Sequence, residues 1–270
     1  MSKKSQFNKI CKDIKSIKIQ GARNIAKAGL KAYQLFPLKS SKKKLLSLRE
    51  TEPMLENVLD LAEKQISYQT ILNHFQQAQD KINNHVLKLI KNNNVIFTHC
   101  HSTNVTQALI YAKKHKKNFE VYNTETRPLY QGRKTAKELS KAKIPITTFV
   151  DSSLGIALSK KQGTKKVDIV LLGADALLKK GIINKIGSEV IAKIAKLEKI
   201  PVYIIADSWK FSKKPVPIEN RDLNEVWDKA PKNIKIKNPA FEFVDKKFIT
   251  KIVTEFGVLS YEKFLKKVKD

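Results

Sequence analysis

The sequence has few cysteines and no long apolar segment, and each scarcity excludes a class of protein. Its 270 residues include two cysteines, Cys11 and Cys100. Two such distant cysteines argue against a disulfide framework and for a reducing cytosol. No run of about 18 apolar residues occurs, so we expect no transmembrane helix. The N-terminus contains lysine but no apolar segment, so we expect no secretory signal and a cytoplasmic protein.

Arginine is also scarce, although basic residues dominate the composition. Of 53 basic residues only Arg23, Arg49, Arg127, Arg133 and Arg221 are arginine, and the formal net charge is +28. Lysine spread over polar helix faces indicates a solvated surface, so nucleic acid is not an expected partner. Anionic small substrates would still be attracted to such a surface. Because the guanidinium group is a planar set of donors, rare arginines mark positions where that geometry matters.

The spacing of apolar residues changes near residue 93. Helical spacing predicts helices over 14–36, 54–65 and 67–93, with a polar loop over 38–53 that carries Arg49. Beyond residue 94, short β-rich runs at 95–99, 119–124, 146–151, 167–173 and 202–206 alternate with helical stretches. Residues 247–270 are predicted as a helix, a turn near Gly257 and a last helix. This alternation predicts an α/β fold with a parallel sheet and helices on both faces.

The end of the first predicted strand carries a cysteine in the segment THCHSTN. Cys100 precedes a helix that Ser102, Thr103 or Asn104 can cap. The helix dipole can lower the pKa of a thiol there, and the free N–H groups suit a phosphate. A buried structural cysteine is the alternative. The flanking histidines point away from the cysteine in an extended chain and no second Cys/His cluster exists, so we expect no metal site.

The segment after the second strand, NTETRPLYQGRKTA, concentrates two arginines. Arg127 and Arg133 stand near Glu125, around a turn at Pro128. They either bind the phosphate of a ligand or form ion pairs that hold a loop. We predict that both approach the cleft at the carboxyl ends of the strands, where ligands bind in such sheets, or brace its walls.

The later strand ends add a carboxylate and further polar groups. Gly173 permits a tight turn or a close backbone approach. Asp175 can act as an acid or base if its pKa is raised, or it can cap a helix. The remaining candidates are Asn184, Lys185 and Gly187 before the next helix, and Asp207 and Lys210 after the fifth strand.

Taken together, these motifs resemble a known family. The segments IQGARNIA, THCHS, TETRPLYQGR, GADA, GIINKIG and KIVTEFG occur in the family's order, from about residue 15 to 260. They are similar to the family that joins the alpha, beta and delta subunits of translation initiation factor 2B, methylthioribose-1-phosphate isomerase and archaeal ribose-1,5-bisphosphate isomerase. The resemblance implies a helical N-terminal domain and a Rossmann-like catalytic domain, which we place at 1–92 and 93–270.

At two positions this sequence resembles the isomerase branch of the family. The isomerases use a cysteine in the THC motif and an aspartate in the GAD motif, which the regulatory subunits generally lack. This chain has both Cys100 and Asp175. The resemblance implies isomerisation of ribose 1,5-bisphosphate to ribulose 1,5-bisphosphate in nucleotide ribose salvage, with Cys100 as proton acceptor, Asp175 as proton donor and no cofactor. A non-catalytic regulatory protein related to the initiation-factor subunits is the alternative.

The resemblance also implies substrate contacts and partners. The contacts fall on Gln20, Gly21, Ala22, Arg23, Arg49, Ser102, Thr103, Asn104, Asn184, Lys185 and Lys210, to which the arginine argument adds Arg127 and Arg133. The isomerases usually have Arg-Gly-Ala where this chain has Gln-Gly-Ala, which removes a bidentate phosphate partner. Either Arg23 replaces that arginine or the ligand differs. The expected partners are a sugar phosphate, further copies of the chain in a dimer or a hexamer of dimers, and a regulatory nucleotide; we expect no membrane.

Overall fold

The computed structural model describes residues 2–268, and the first part of the chain is helical. Its helices are α1 (Lys3–Lys15), α2 (Ala22–Leu35), α3 (Lys39–Leu46), α4 (Pro53–Glu63) and α5 (Tyr68–Leu89). Gly21, at φ +83°, interrupts the helix predicted over 14–36. The prediction of a loop over 38–53 was wrong for its first half, which forms α3. That helix exists because Leu45 is buried in the apolar core of α1, α2 and α4 while Lys39, Lys43 and Lys44 are exposed to solvent.

The described residues also contain a seven-stranded sheet. Its strands are β1 (Asn94–Thr98), β2 (Phe119–Thr124), β3 (Ile146–Phe149), β4 (Ile169–Leu172), β7 (Val202–Ile205), β9 (Lys251–Thr254) and β10 (Gly257–Leu259). They lie in the order β10-β9-β7-β4-β1-β2-β3. Neighbouring strands are parallel except for β9 and β10. All five strands predicted from the sequence are therefore present.

The first helix predicted in the C-terminal segment was wrong, because residues 251–259 form the hairpin of β9 and β10. Ile252 and Val253 are buried on opposite faces of the sheet, and each contributes to a different apolar core. A strand that is buried on both faces lacks the alternation of apolar and polar residues by which a strand is identified in a sequence. The last predicted helix is present as α10 (Tyr261–Lys267), while residues 269 and 270 lie outside the described part.

Helices cover both faces of the sheet, as predicted. These are α6 (Thr103–Lys114), α7 (Gln131–Lys141), α8 (Leu154–Leu158) and α9 (Ser188–Leu197), together with α5 and α10. Helices α5, α6 and α7 pack on the face that carries Ile96, and α8, α9 and α10 pack on the face that carries Phe97. Since α5 contributes to the core of the sheet, the helical part and the sheet share this helix. The division at residue 92 stays a prediction.

A second, smaller sheet follows β4 and was not predicted. It consists of β5 (Ala176–Leu177), β6 (Gly181–Lys185) and β8 (Phe241–Asp245), paired antiparallel in the order β5-β6-β8. Gly181 is required here, because a Cβ atom would lie 2.1 Å from the carbonyl oxygen of Val244. The sheet begins next to Asp175 and carries Asn184 and Lys185, so it positions three predicted site residues.

Candidate active site

One cavity lies where the carboxyl ends of the strands meet the N-terminal helices. Cys100 follows β1, Asp175 follows β4 and Lys210 follows β7, and all three line the cavity. Cys100 and Asp175 thus share one cleft, as their positions after parallel strands predicted. The predicted site residues that line this cavity are Gln20, Gly21, Ala22, Arg23, Arg49, Cys100, Ser102, Thr103, Asn104, Asp175, Asn184, Lys185 and Lys210.

The backbone of Cys100 is held in an unusual conformation. Its φ is +63°, in the left-handed region that non-glycine residues rarely adopt. The Cys100 N–H donates to Thr126 Oγ1 at 3.1 Å, and its carbonyl accepts from Thr135 Oγ1 at 2.8 Å. Two residues later, Ser102 caps α6 by accepting from the Val105 N–H. The cysteine therefore lies beside a helix N-terminus, with its orientation fixed by two threonine hydroxyl groups.

The histidines on either side of the cysteine are part of the wall. His99 is buried, with Nδ1 2.5 Å from Thr124 Oγ1 and Nε2 2.8 Å from the Ile186 carbonyl oxygen. Burial lowers the pKa of His99, and burial with the nearby Lys134 charge lowers the pKa of His101 to about 4. Both rings are therefore neutral near pH 7. Gly187, at φ +104°, keeps the backbone clear of His99, since a Cβ atom there would lie 3.1 Å from Nε2.

The thiol of Cys100 is less acidic than the sequence predicted. Burial raises its pKa to about 12, and the nearby charge of Lys185 only partly opposes this effect. The prediction of a lowered pKa was thus wrong, because the cost of burying a thiolate exceeds the stabilisation from the helix N-terminus. In the free protein Cys100 is a neutral thiol at physiological pH.

Two carboxyl groups of the cavity are also held in a low-polarity setting. Burial raises the pKa of Asp175, opposed by the charges of Lys210, Arg49 and Lys185. This direction suits a carboxyl group that donates a proton. The second carboxyl belongs to Glu52, which is 3% exposed and was not predicted as a site residue. Burial, followed by the charge of Asp175, raises the pKa of Glu52 to about 8.

Arginines and carboxylates form a network at the end of the cavity near α4. Arg49 Nε lies 3.0 Å from Glu219 Oε2, and its Nη2 lies 3.7 Å from Glu52 Oε1. Arg221 Nη1 lies 3.1 Å from Glu219, and its Nη2 lies 2.7 Å from Glu225. Both arginines line the cavity, yet only Arg49 was predicted. The rarity of arginine could have identified Arg221, which belongs to none of the segments chosen from the strand ends.

The lysines of the site differ in their contacts. Lys210 is buried, and its Nζ donates to the carbonyl oxygen of Ala174, 2.5 Å away, next to Asp175. Lys185 is buried on β6, where its charge lowers the pKa of Cys100. Gly173 allows the loop after β4 to approach α6, because a Cβ atom there would lie 2.6 Å from the Ser102 side chain. These contacts pack the catalytic candidates and the helix N-terminus into one cleft.

Arg127 and Arg133 are not among the described residues that line this cavity, so of the two predicted placements they match the one that braces its wall, and their role as substrate contacts stays a prediction. Arg133 donates to Glu125 Oε2 through Nε at 3.1 Å and Nη2 at 2.6 Å, and stacks on the Tyr130 ring. Arg127 donates to Tyr130 Oη at 2.9 Å and to the Val226 carbonyl oxygen at 3.0 Å. These contacts brace the loop whose Leu129 and Gln131 line the cavity, and Lys134 beyond that loop lines it as well.

Comparison with known proteins agrees with this arrangement. The model of the initiation factor 2 subunit family matches residues 18–261. Ribose 1,5-bisphosphate isomerase of Methanocaldococcus jannaschii is 32% identical over 292 aligned positions, covering 96% of this chain and 93% of the relative. The corresponding protein of Archaeoglobus fulgidus is 33% identical, covering 92% of this chain and 88% of the relative.

A solved structure shares the fold. The translation initiation factor eIF-2B of Pyrococcus horikoshii superposes with a TM-score of 0.80 at 24% identity, covering 94% of this chain and 96% of that protein. At this identity the likeness concerns the fold. Within residues 2–268, every helix is too short or too polar to cross a membrane.

Proposed function

Because the chain belongs to the initiation factor 2 subunit family, we propose that it is a sugar-phosphate aldose–ketose isomerase that converts ribose 1,5-bisphosphate to ribulose 1,5-bisphosphate. The observation that carries this proposal is the meeting of Cys100 and Asp175 in one cavity with buried basic groups. The reaction requires a general base and a general acid, and a thiolate and a carboxyl group can fill these roles. The regulatory alternative gives no reason for this pair.

The phosphate on the anomeric oxygen prevents spontaneous ring opening, so the ring must be opened by acid–base catalysis. In our proposal the thiolate form of Cys100 takes the proton from C2 as the bond between C1 and the ring oxygen breaks. Asp175 donates its proton to the departing ring oxygen, leaving an enol with the phosphate still on C1. The Cys100 thiol then returns a proton to C1 while the Asp175 carboxylate takes the proton of the C2 hydroxyl. The product is a 2-ketose, and both groups regain their original protonation states.

The cavity can bind an anionic substrate near these groups. The N-terminus of α6, with Ser102, Thr103 and Asn104, lies beside Cys100 and can donate backbone N–H groups to a phosphate. Lys185 and Lys134 also line the cavity and add positive charge to it. In the free protein a small fraction of Cys100 is thiolate, because its pKa is about 12. As long as Asp175 keeps the proton that it donates, turnover should therefore increase with pH.

We extend the proposal to the partners of the protein. Further copies of the chain would assemble as a dimer or a hexamer of dimers in the cytoplasm, and a nucleotide would regulate activity. The exposed apolar side chains Leu223, Val226 and Trp227 offer a surface for such assembly. Light scattering tests the assembly, and turnover measured with and without a nucleoside monophosphate tests the regulation. A monomer with unaltered activity in the presence of nucleotide would contradict them.

The function is tested by incubating the purified protein with ribose 1,5-bisphosphate and following ketose formation by ¹³C NMR. Cys100→Ser should lose turnover, because a serine hydroxyl is far less acidic than a thiol. Cys11→Ser is the matched control, since Cys11 is buried in the helical core away from the cavity. An inactive wild type, or equal activity of both variants, would contradict the proposal.

A further inference from the structure

The cavity contains a buried carboxyl group that the proton transfers above do not use. Among the described residues, Glu52 Oε2 has no hydrogen-bond partner, and Arg49 Nη1 has none either. Both atoms are buried, and both residues line the cavity. A buried acceptor and a buried donor without partners are costly unless something else supplies the missing hydrogen bonds. Their place in the cavity wall indicates that a ligand supplies them.

The two atoms belong to adjoining groups, since Arg49 Nη2 lies 3.7 Å from Glu52 Oε1. A neighbouring acceptor and donor match a hydroxyl group, which can donate to the carboxyl oxygen and accept from the guanidinium N–H. A phosphate dianion fits this position poorly, because Glu219 and Glu225 already pair with Arg49 and Arg221 and leave no excess positive charge for a dianion. The chemistry of the pair therefore points to an alcohol.

The charges around the pair support the same choice. Arg49 lies between Glu52 and Glu219, and Arg221 lies between Glu219 and Glu225. Three carboxyl groups thus accompany two guanidinium groups at this end of the cavity. The raised pKa of Glu52 also fits, because a protonated carboxyl still accepts through its carbonyl oxygen without repelling an anionic substrate. The phosphate groups would bind elsewhere, near α6 and Lys185.

We propose that Glu52 is a specificity-determining residue that, together with Arg49, binds a free ring hydroxyl of the pentose. The inference rests on the proposed function, which supplies the pentose phosphate. Ribose 1,5-bisphosphate has two free hydroxyl groups, on C2 and C3, because its other oxygens carry phosphate or close the ring. The competing explanation is that Glu52 only balances the charge of Arg49.

The test is a cycle of protein variants and substrate analogues. Binding is measured by calorimetry in the Cys100→Ser background, so that ligands are not consumed, with ribose 1,5-bisphosphate and its 2-deoxy and 3-deoxy analogues. With Glu52 present, loss of the recognised hydroxyl should weaken binding about 10- to 100-fold. Glu52→Met keeps the side-chain length and removes the acceptor. It should bind the parent ligand more weakly by a similar factor and lose its preference over that deoxy analogue.

Two further variants sharpen the result. Glu52→Gln retains an acceptor oxygen and should preserve most of the discrimination. Glu50→Met lies two residues away on the exposed side of the same segment and should leave binding unchanged. If Glu52→Met does not fold, Glu52→Asp withdraws the acceptor by one methylene and should also lose the discrimination.

The outcomes separate this inference from the proposed function. Full discrimination against both deoxy analogues in Glu52→Met, or equal binding of all three ligands when Glu52 is present, overturns the role of Glu52. Failure of the wild type to convert ribose 1,5-bisphosphate counts against the proposed substrate instead. The same cycle with ribose 1-phosphate and its deoxy analogues then decides the role of Glu52.

Discussion

Replacing Glu52 with glutamine should stabilise the protein, and increasingly so as the pH rises. The folded state raises the pKa of this carboxyl from 4.5 to about 8, chiefly through burial. Below about pH 4.5 the carboxyl is protonated in both the folded and the unfolded state, so its ionisation does not lower the free energy of unfolding. Between these values the unfolded chain loses the proton while the folded protein keeps it, so the free energy of unfolding falls with increasing pH. Above about pH 8 the loss is complete.

The size of the effect follows from the two pKa values. Each pH step between them costs about 1.4 kcal/mol. At pH 5 the wild type has lost less than about 1 kcal/mol from this group, and at pH 8 it has lost roughly 4 kcal/mol. Glutamine does not titrate, so the difference between Glu52→Gln and wild type should grow by roughly 3 kcal/mol from pH 5 to pH 8. This is a large part of the 5–15 kcal/mol that stabilises a typical domain, as an order of magnitude.

The assay is urea denaturation of both proteins at pH 5, 6, 7 and 8, with the slopes compared to verify similar unfolding. All other titrating groups are present in both proteins, so they largely cancel in the difference. Glu50→Gln makes the same substitution at an exposed position and is the matched control. A constant difference for Glu52→Gln across this range would refute the buried, largely protonated Glu52.

Three further results are expected. Asp175→Asn should keep ligand affinity and lose turnover by a factor of 100 or more, as an order of magnitude, because the amide cannot cycle a proton; near-normal turnover would remove Asp175 as the donor. Alkylation of Cys100 by iodoacetamide should be slow at pH 7 and accelerate about tenfold per pH unit up to pH 9, because burial raises its pKa to about 12; a rate that levels off near pH 7 would indicate an activated thiolate. Arg133→Lys should alter ligand affinity less than about threefold, because the side chain is half exposed and paired with Glu125 outside the cavity; a large loss of affinity would return this arginine to the binding site.

Local sequence signals predicted the parallel sheet and the placement of the two catalytic candidates. Strands such as β1 and β4 are short apolar runs bounded by turn residues, and a residue directly after a parallel strand reaches the ligand-binding edge in any such sheet. Cys100 and Asp175 could therefore be placed in one cleft before any contact was known. The hairpin of β9 and β10 escaped prediction because residues 252–254 are all buried, whichever face of the sheet they lie on, so no alternation of apolar and polar residues indicated a strand.

Only the tertiary structure decided the electrostatics of the site. Glu52 and Arg221 are 169 positions apart, and no spacing rule brings them to the same cavity wall. The pKa of Cys100 likewise depended on burial. Burial raises this pKa by more than the nearby helix N-terminus, which the sequence predicted, can lower it. Strand and helix signals are properties of neighbouring residues and can be read locally. The pKa of a buried group depends on which distant charges and apolar atoms replace its water, and that is fixed only when the whole chain is packed.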